Sequence, residues 1–221
     1  GLSGKDFNRH LFSKIFIHYA YWMKYSLKEQ TKTTNKFKTS KVYGFSMDVR
    51  DVIKSRRSIR KYKRKEVSDD IVKEIINSAR LAPSGNNTQP SRYLVIKDNS
   101  VKKRLQEQEI IRDRWVYDAP VIIVCATNPQ AYKKFVPLWD DDNEIRAQRD
   151  LAIASSYLDL QANELGLGTC YCGWIKKDEI KEVLGIPKHF IVPYVMALGY
   201  PDENPGARPR KGMDEILLGI R

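Results

Sequence analysis

The chain has 221 residues, of which 42% are hydrophobic, and a formal net charge of +12, which fits one domain with an appended segment. No uncharged apolar run approaches the roughly 18 residues of a membrane span, so no spanning helix is predicted. Three histidines and three cysteines are too few for a zinc site or a disulfide framework. No metal site is therefore expected, and the low cysteine count favours a cytoplasmic location.

Residues 1–46 form a basic extension that differs from the rest of the chain. They carry nine Lys/Arg and two Asp/Glu, whereas the remaining residues carry 30 and 25. Apolar residues recur at helical spacing from Leu11 to Tyr19, which predicts a short amphipathic helix, and Lys28–Lys41 resembles a linker. A membrane-surface helix and a partner-binding arm remain open, but an inert or artefactual extension is favoured. Nucleic acid is not an expected partner, because the excess of positive charge is concentrated in this extension and no recognition motif occurs. A nucleic-acid-binding module is nevertheless kept as the alternative to an enzyme.

A compact domain is predicted for residues 47–221, and its first half mixes helices with strands. A helix is expected at Asp48–Ser55, and a second begins after Ser68, an N-cap residue followed by two acids, and ends at Pro83. Tyr93–Lys97 is predicted to be a strand. The continuous apolar run Val121–Ala126 is typical of a central strand that is buried on both faces.

The second half of the domain continues in irregular alternation. Asn143–Leu165 is the longest helical pattern, and Asp178–Leu184 is a shorter helix. Gly168–Ile175 is expected to be extended, and Ile191–Leu198 to be a buried strand interrupted by Pro193. This irregular order favours an α+β fold over a doubly wound sheet.

The segment Arg56–Arg60 is the first candidate for a binding site. If the segment is extended, alternate side chains share one face, so Arg56, Ser58 and Arg60 would point the same way. Two guanidinium groups with a hydroxyl between them suit a phosphate. A solvated basic turn is the alternative interpretation of this segment alone.

Three further segments combine features of ligand sites. Pro83–Pro90 is rich in side-chain amides that could match alternating donors and acceptors on a heterocycle. Gly166–Trp174 contains glycines that allow a ligand to approach the backbone, and its two cysteines are interpreted as packing residues. Arg208–Lys211 forms a second basic cluster, which could return to the same anion or be a solvated tail.

Taken in order, these segments resemble the nitroreductase family of flavoproteins. An R-R-S-x-R segment is present at Arg56–Arg60, and a P-S-x-x-N-x-Q-P loop at Pro83–Pro90. An L-G-L-G-T-C-x-x-G turn follows at Leu165–Gly173, and a G-Y-P…R-P-R-K stretch lies between Gly199 and Lys211. Each motif is weak alone, but the four together are specific, and the resemblance spans residues 47–218.

The resemblance implies a fold and an activity. The fold would be α+β, with a mixed, mainly antiparallel sheet flanked by helices, in an intertwined homodimer with two FMN sites at its interface. The activity would be ping-pong transfer of a hydride from NADH or NADPH through flavin N5 to a small-molecule electron acceptor, such as a nitroaromatic or a quinone. Reductive dehalogenation, another flavin-dependent oxidation and non-catalytic flavin binding are the alternatives.

The resemblance also assigns roles to individual residues. Arg56 and Ser58 would bind the FMN phosphate with Arg57 close by, and Arg60 would lie near flavin N1/O2, where positive charge stabilises the reduced flavin. Cys172 and Gly173 would face flavin N5 with their backbone, so Arg60 and Cys172 are the catalytic candidates. Ser84, Asn87 and Gln89 would contact the ring or ribityl chain from the other subunit, and Arg208 and Arg210 would return to the phosphate. Pro83 and Gly85, in the same loop, are further cofactor-binding candidates.

Two departures from the family pattern leave the substrate open. Ser91 follows the loop where the family usually has an aromatic residue, and Cys172 stands where one branch has glutamate. Trp115–Glu144 is expected to cover the flavin and to set substrate choice. The region contains the aromatic residues Tyr132, Phe135 and Trp139 and the acidic residues Asp140, Asp141 and Asp142.

Overall fold

A computed structural model of the chain describes residues 48–133 and 142–221. The amphipathic helix and linker predicted within residues 1–46 lie outside these ranges. So does the central part of the predicted covering region, including Phe135, Trp139, Asp140 and Asp141. The fold and the candidate site are therefore built from the two described ranges.

The described strands form one antiparallel sheet. They are β1 (Ser91–Ile96), β2 (Val121–Thr127), β3 (Gly168–Cys172) and β4 (Ile191–Gly199), in the order β1-β2-β4-β3. Within the described ranges, the one parallel contact is an isolated bridge between Ser58 and Thr169. The α+β fold with a mainly antiparallel sheet is thus confirmed. β3 ends at Cys172, three residues before the predicted end of the extended segment, and β4 continues through Pro193, next to a register shift opposite Cys125 and Thr127.

The described ranges contain six α-helices. They are α1 (Val49–Ser55), α2 (Asp69–Arg80), α3 (Asn99–Glu107), α4 (Asn143–Glu164), α5 (Lys177–Leu184) and α6 (Met213–Ile216). The predicted N-cap is confirmed, because the Ser68 side chain accepts a hydrogen bond from the Ile71 N–H. Helix α3 was not predicted. In the part of the chain that the structure describes, no helix is long and apolar enough to cross a membrane.

Strand β2 is buried on both faces, as its unbroken apolar sequence predicted. Ile122, Val124 and Ala126 pack with α3, α5 and the residues that precede β2. Val121, Ile123 and Cys125 pack on the other side with α2 and α4. The sheet therefore lies between two apolar layers, with β4 paired to β2 and β3 paired to the other side of β4.

The basic segment after α1 is hydrogen-bonded to the edge of the sheet at β3. The Ile59 N–H donates to the Thr169 carbonyl at 2.9 Å, and the Lys63 N–H donates to the Tyr200 carbonyl at 2.9 Å. Gly168 permits this approach, since a Cβ there would lie 2.7 Å from the Cβ of Ile59. The segment thus becomes an additional extended element beside β3, and the chain that follows β4 lies next to it.

Candidate functional site

A basic cavity forms where the segment after α1 meets the chain that follows β4. Its volume is about 350 Å³. The structure brings together here six predicted site residues from two segments that are far apart in the sequence. They are Arg56, Arg57, Ser58, Arg60, Arg208 and Arg210. Five guanidinium groups and a hydroxyl around one cavity are a donor set suited to a phosphate or another compact anion.

Arg56 is oriented by a buried carboxylate on α4. Its Nε lies 3.5 Å from Asp159 Oδ2, and the Thr169 hydroxyl donates to Asp159 Oδ1. Burial raises the pKa of Asp159, while the Thr169 hydrogen bond and the Arg56 charge act in the opposite direction. Asp159 was not predicted from the sequence. The available signal was an acid among the small and apolar residues of a long helix, and Asp150 shares that signal.

This raised pKa gives a pH-dependence that can be tested. The folded-state pKa of Asp159 lies above its usual value of 3.8, so its favourable contribution is complete below that value and is lost as pH rises through the folded pKa. The free energy of unfolding of the wild type, relative to Asp159→Asn, should therefore decline with rising pH and then level off. Urea unfolding of both proteins at stepped pH measures this difference. A difference that grows with pH would contradict the assignment.

Two of the cavity's arginines also stabilise the local backbone. Arg57 Nη1 donates to the carbonyls of Lys54 and Arg56 at 2.6 and 2.8 Å, which caps the end of α1. Arg210 Nη1 donates to the carbonyls of Arg208 and Pro209 at 3.2 and 3.1 Å. These bonds occupy one guanidinium nitrogen of each residue, and the other nitrogens can still reach an anion. The phosphate-binding roles of Arg57 and Arg210 stay predictions.

Arg60 is held at the edge of the cavity by both its backbone and its side chain. Its N–H donates to Glu203 Oε1, and the Lys61 N–H donates to the same oxygen at 3.2 Å. Its guanidinium carbon lies 5.7 Å from the ring centroid of Trp115, within cation–π range. Glu203 was not predicted, and Trp115 was predicted only as the start of the covering region. Both follow from contacts between distant parts of the chain.

The amide-rich loop does not line the basic cavity of its own chain. Pro83, Ser84 and Gln89 instead line a separate cavity of about 270 Å³ beside α2 and α4. Asn87 has a φ of 54°, and the Gln89 N–H donates to Ser84 Oγ at 2.9 Å, so the loop is compact and folded on itself. The predicted site residues are thus distributed over more than one surface of the single chain.

The turn after β3 lines a third cavity of about 520 Å³. Gly173 and Trp174 lie in its wall, and the guanidinium carbon of Arg112 lies 4.5 Å from the Trp174 ring centroid. Gly173 has no side chain, so its backbone can be approached closely. Trp174 is 62% exposed and leaves an aromatic surface available to a planar ligand.

Cys172 has a buried and unreactive side chain. Its thiol lies 3.3 Å from Asp113 Oδ2, and burial together with that carboxylate raises the pKa of Cys172 to about 11. The thiol is therefore protonated near neutral pH and is not a nucleophile. If Cys172 contributes to catalysis, it must do so through its backbone. A backbone contact with flavin N5 is also what the sequence predicted for this residue. All three cysteines are buried and free, which agrees with the interpretation of Cys170 and Cys172 as packing residues.

Comparisons with known proteins agree with this architecture. The Nitroreductase family matches residues 53–112 and 104–200. A protein of Methanothermobacter thermautotrophicus named as an NADH dehydrogenase/NAD(P)H nitroreductase is 34% identical over 78% of this chain and 87% of its own length.

Among solved structures, NfrA2 of Bacillus megaterium has a TM-score of 0.69 and 27% identity, covering 77% of this chain and 74% of that one. A nitroreductase of Exiguobacterium sibiricum in complex with FMN has a TM-score of 0.71 and 22% identity, covering 79% and 98%. The chain belongs to the nitroreductase family.

Proposed function

We propose that this protein is an FMN-dependent oxidoreductase that uses NADH or NADPH to reduce a small-molecule acceptor, such as a nitroaromatic or a quinone. The basic cavity carries the proposal, because its guanidinium groups and hydroxyl match a dianionic phosphate. A protein of the same fold has been solved with FMN, and the archaeal relative carries an NAD(P)H nitroreductase name. When bound, FMN would supply the redox chemistry by taking a hydride at N5 and returning electrons to the acceptor in a ping-pong sequence.

The chain's own residues would bind and orient the cofactor. Ser58 and Arg208 would hold the phosphate with Arg56, whose direction is set by Asp159. Arg60 would place positive charge beside the pyrimidine edge, where negative charge develops during reduction. Arg60 is exposed, and the contact with Trp115 would help to orient its guanidinium.

We further propose a homodimer in which the amide-rich loop of one copy completes the basic cavity of the other. The separation of the two surfaces within one chain supports this arrangement. Large apolar side chains are also exposed on α1, on α4 and in the C-terminal tail, as dimer interfaces require. They include Val49, Ile53, Ile153, Tyr157, Leu218 and Ile220. A molar mass of one chain in solution, measured by light scattering with FMN present, would contradict the dimer.

We assign the flavin domain to residues 47–221 and treat residues 1–46 as an extension, because the family match begins at residue 53. A cytoplasmic location is proposed from the three free, buried cysteines.

The proposed function is tested by reconstitution and turnover. Protein incubated with FMN and freed of excess should be yellow, and should oxidise NADH or NADPH faster when menadione or a nitroaromatic is added. Protein that stays colourless would overturn the proposal. Bound flavin without acceptor-dependent oxidation of either nucleotide would instead identify a non-catalytic flavin protein.

A further inference from the structure

A buried carboxylate on α4 connects to the amide-rich loop. Asp150 is 4% exposed, and its Oδ2 accepts a hydrogen bond from the Gly85 N–H at 3.1 Å. The hydroxyl of Tyr132, a fully buried residue, donates to the same oxygen. Two donors from two different segments therefore meet on one carboxylate oxygen of a rigid helix. None of the three residues lines the basic cavity.

The loop that Asp150 holds has an unfavourable backbone conformation. Asn86, Asn87 and Gln89 have φ values of 52°, 54° and 48°, in the left-handed region that favours glycine. Three such residues within four positions are unfavourable for a free loop, so surrounding contacts must maintain them. The bond to Asp150 is an anchor from outside the loop, whereas the bond between Gln89 and Ser84 lies within it.

Tyr132 also limits the position of Gly85 by contact. A Cβ at Gly85 would lie 2.8 Å from the Tyr132 hydroxyl oxygen, and 3.3 and 3.5 Å from the nearest ring carbons. Tyr132 is itself fixed, because the guanidinium carbon of Arg146 lies 4.5 Å from its ring centroid. Gly85 thus lies against a side chain that cannot easily move, and its N–H is directed at Asp150.

We propose that Asp150, with Tyr132, is a positioning residue that holds the loop in the conformation presenting Ser84, Asn87 and Gln89 to the flavin ring and ribityl chain. The proposal rests on the proposed function, since it takes FMN as the ligand. Asp150 lines the same cavity as Ser84 and Gln89, but its Oδ2 accepts from the Gly85 N–H and the Tyr132 hydroxyl, so its effect is assigned to the loop. Its loss should therefore weaken binding of the ring portion and leave the phosphate contacts intact.

Substitutions at Asp150 test this directly. Asp150→Ala should weaken FMN binding on the order of 10- to 100-fold, the range for loss of a hydrogen bond to a charged group. Riboflavin binding should weaken by the same factor, because the loop is assigned to the ring and ribityl chain. Asp150→Asn keeps an acceptor oxygen and should retain most of the affinity. Dissociation constants come from fluorescence titration, and the melting temperature of each flavin-free protein is measured in parallel.

A double-mutant cycle tests the contact between Gly85 and Tyr132. Gly85→Ala should weaken FMN binding, because its new Cβ meets the Tyr132 hydroxyl. In a Tyr132→Phe background the same change should cost less, since that hydroxyl is gone. Tyr194→Phe is the matched control. It removes a hydroxyl that donates at 3.0 Å to Ser155, which lies on α4 like Asp150. The affinity of this variant for FMN should be unchanged.

The outcomes distinguish the role of Asp150 from the proposed binding of FMN. Equal loss of FMN and riboflavin affinity in Asp150→Ala, with recovery in Asp150→Asn and relief of Gly85→Ala by Tyr132→Phe, supports the proposal. A lower melting temperature with unchanged affinity for both flavins overturns it and leaves Asp150 with a purely structural part. Wild-type protein that binds neither flavin overturns the proposed function itself, before any variant is compared.

Discussion

Replacing Arg208 and Arg210 together with alanine should weaken FMN binding about 100-fold, the loss expected when charged hydrogen bonds to a phosphate are removed. Both side chains line the basic cavity with Arg56 and Ser58, and both residues are exposed, so the fold should tolerate their loss. Riboflavin, which lacks the phosphate, should bind the variant as it binds the wild type. The difference between the two ligands isolates the phosphate contacts and is measured by titration of each flavin.

Arg50→Ala is the control for a general effect of lost positive charge. Arg50 lies on α1 and is exposed, and it does not line the basic cavity. FMN and riboflavin should both bind this variant as they bind the wild type. If the double variant lost affinity for both flavins equally, the C-terminal arginines would act on the ring or on the fold, and the phosphate assignment would be wrong.

Replacing Arg60 with glutamine should slow flavin reduction by NADH or NADPH about 100-fold, the usual effect of removing one group that stabilises developing charge. The guanidinium is held by Trp115 and by the backbone contacts to Glu203, so its charge is fixed where the pyrimidine edge is expected. Arg60→Lys keeps the charge and should keep most of the rate. Stopped-flow absorbance under anaerobic conditions measures the reduction step alone.

Arg64→Gln provides a matched loss of charge near Arg60. Arg64 faces a different cavity, together with Lys97 and Lys102, and its loss should leave the reduction rate unchanged. Reduction of Arg60→Gln at the wild-type rate, with FMN fully bound, would show that Arg60 does not stabilise the reduced flavin.

Much of the fold was predictable because the local sequence pattern of these elements matches their burial in the structure. The apolar run of β2, the N-cap at Ser68 and the long pattern of α4 each follow from one short-range rule. Helix α3 was missed because charged residues interrupt its apolar side. One of them, Lys102, occupies a buried position and donates to the carbonyls of Ala119 and Pro120 at 2.7 and 2.8 Å. A lysine that is buried because its ammonium finds carbonyl partners cannot be recognised from periodicity.

The arginine and amide clusters of the candidate site were predicted from the sequence, whereas the acids that contact them were not. Arginine and amide clusters stand out in a sequence because their chemistry is unusual where it occurs. Asp150, Asp159 and Glu203 are single acids whose roles depend on contacts with distant segments. Their importance appears only when the sheet and α4 bring those segments together.

Hydride transfer from NADH or NADPH to bound FMN can be observed by adding either nucleotide to the FMN-loaded protein without oxygen. The absorbance band of oxidised flavin should bleach in proportion to the nucleotide added, and should return when a nitroaromatic or a quinone is supplied. Protein that holds FMN at full occupancy, yet keeps its oxidised spectrum with either nucleotide, would not be an NAD(P)H-dependent flavin oxidoreductase.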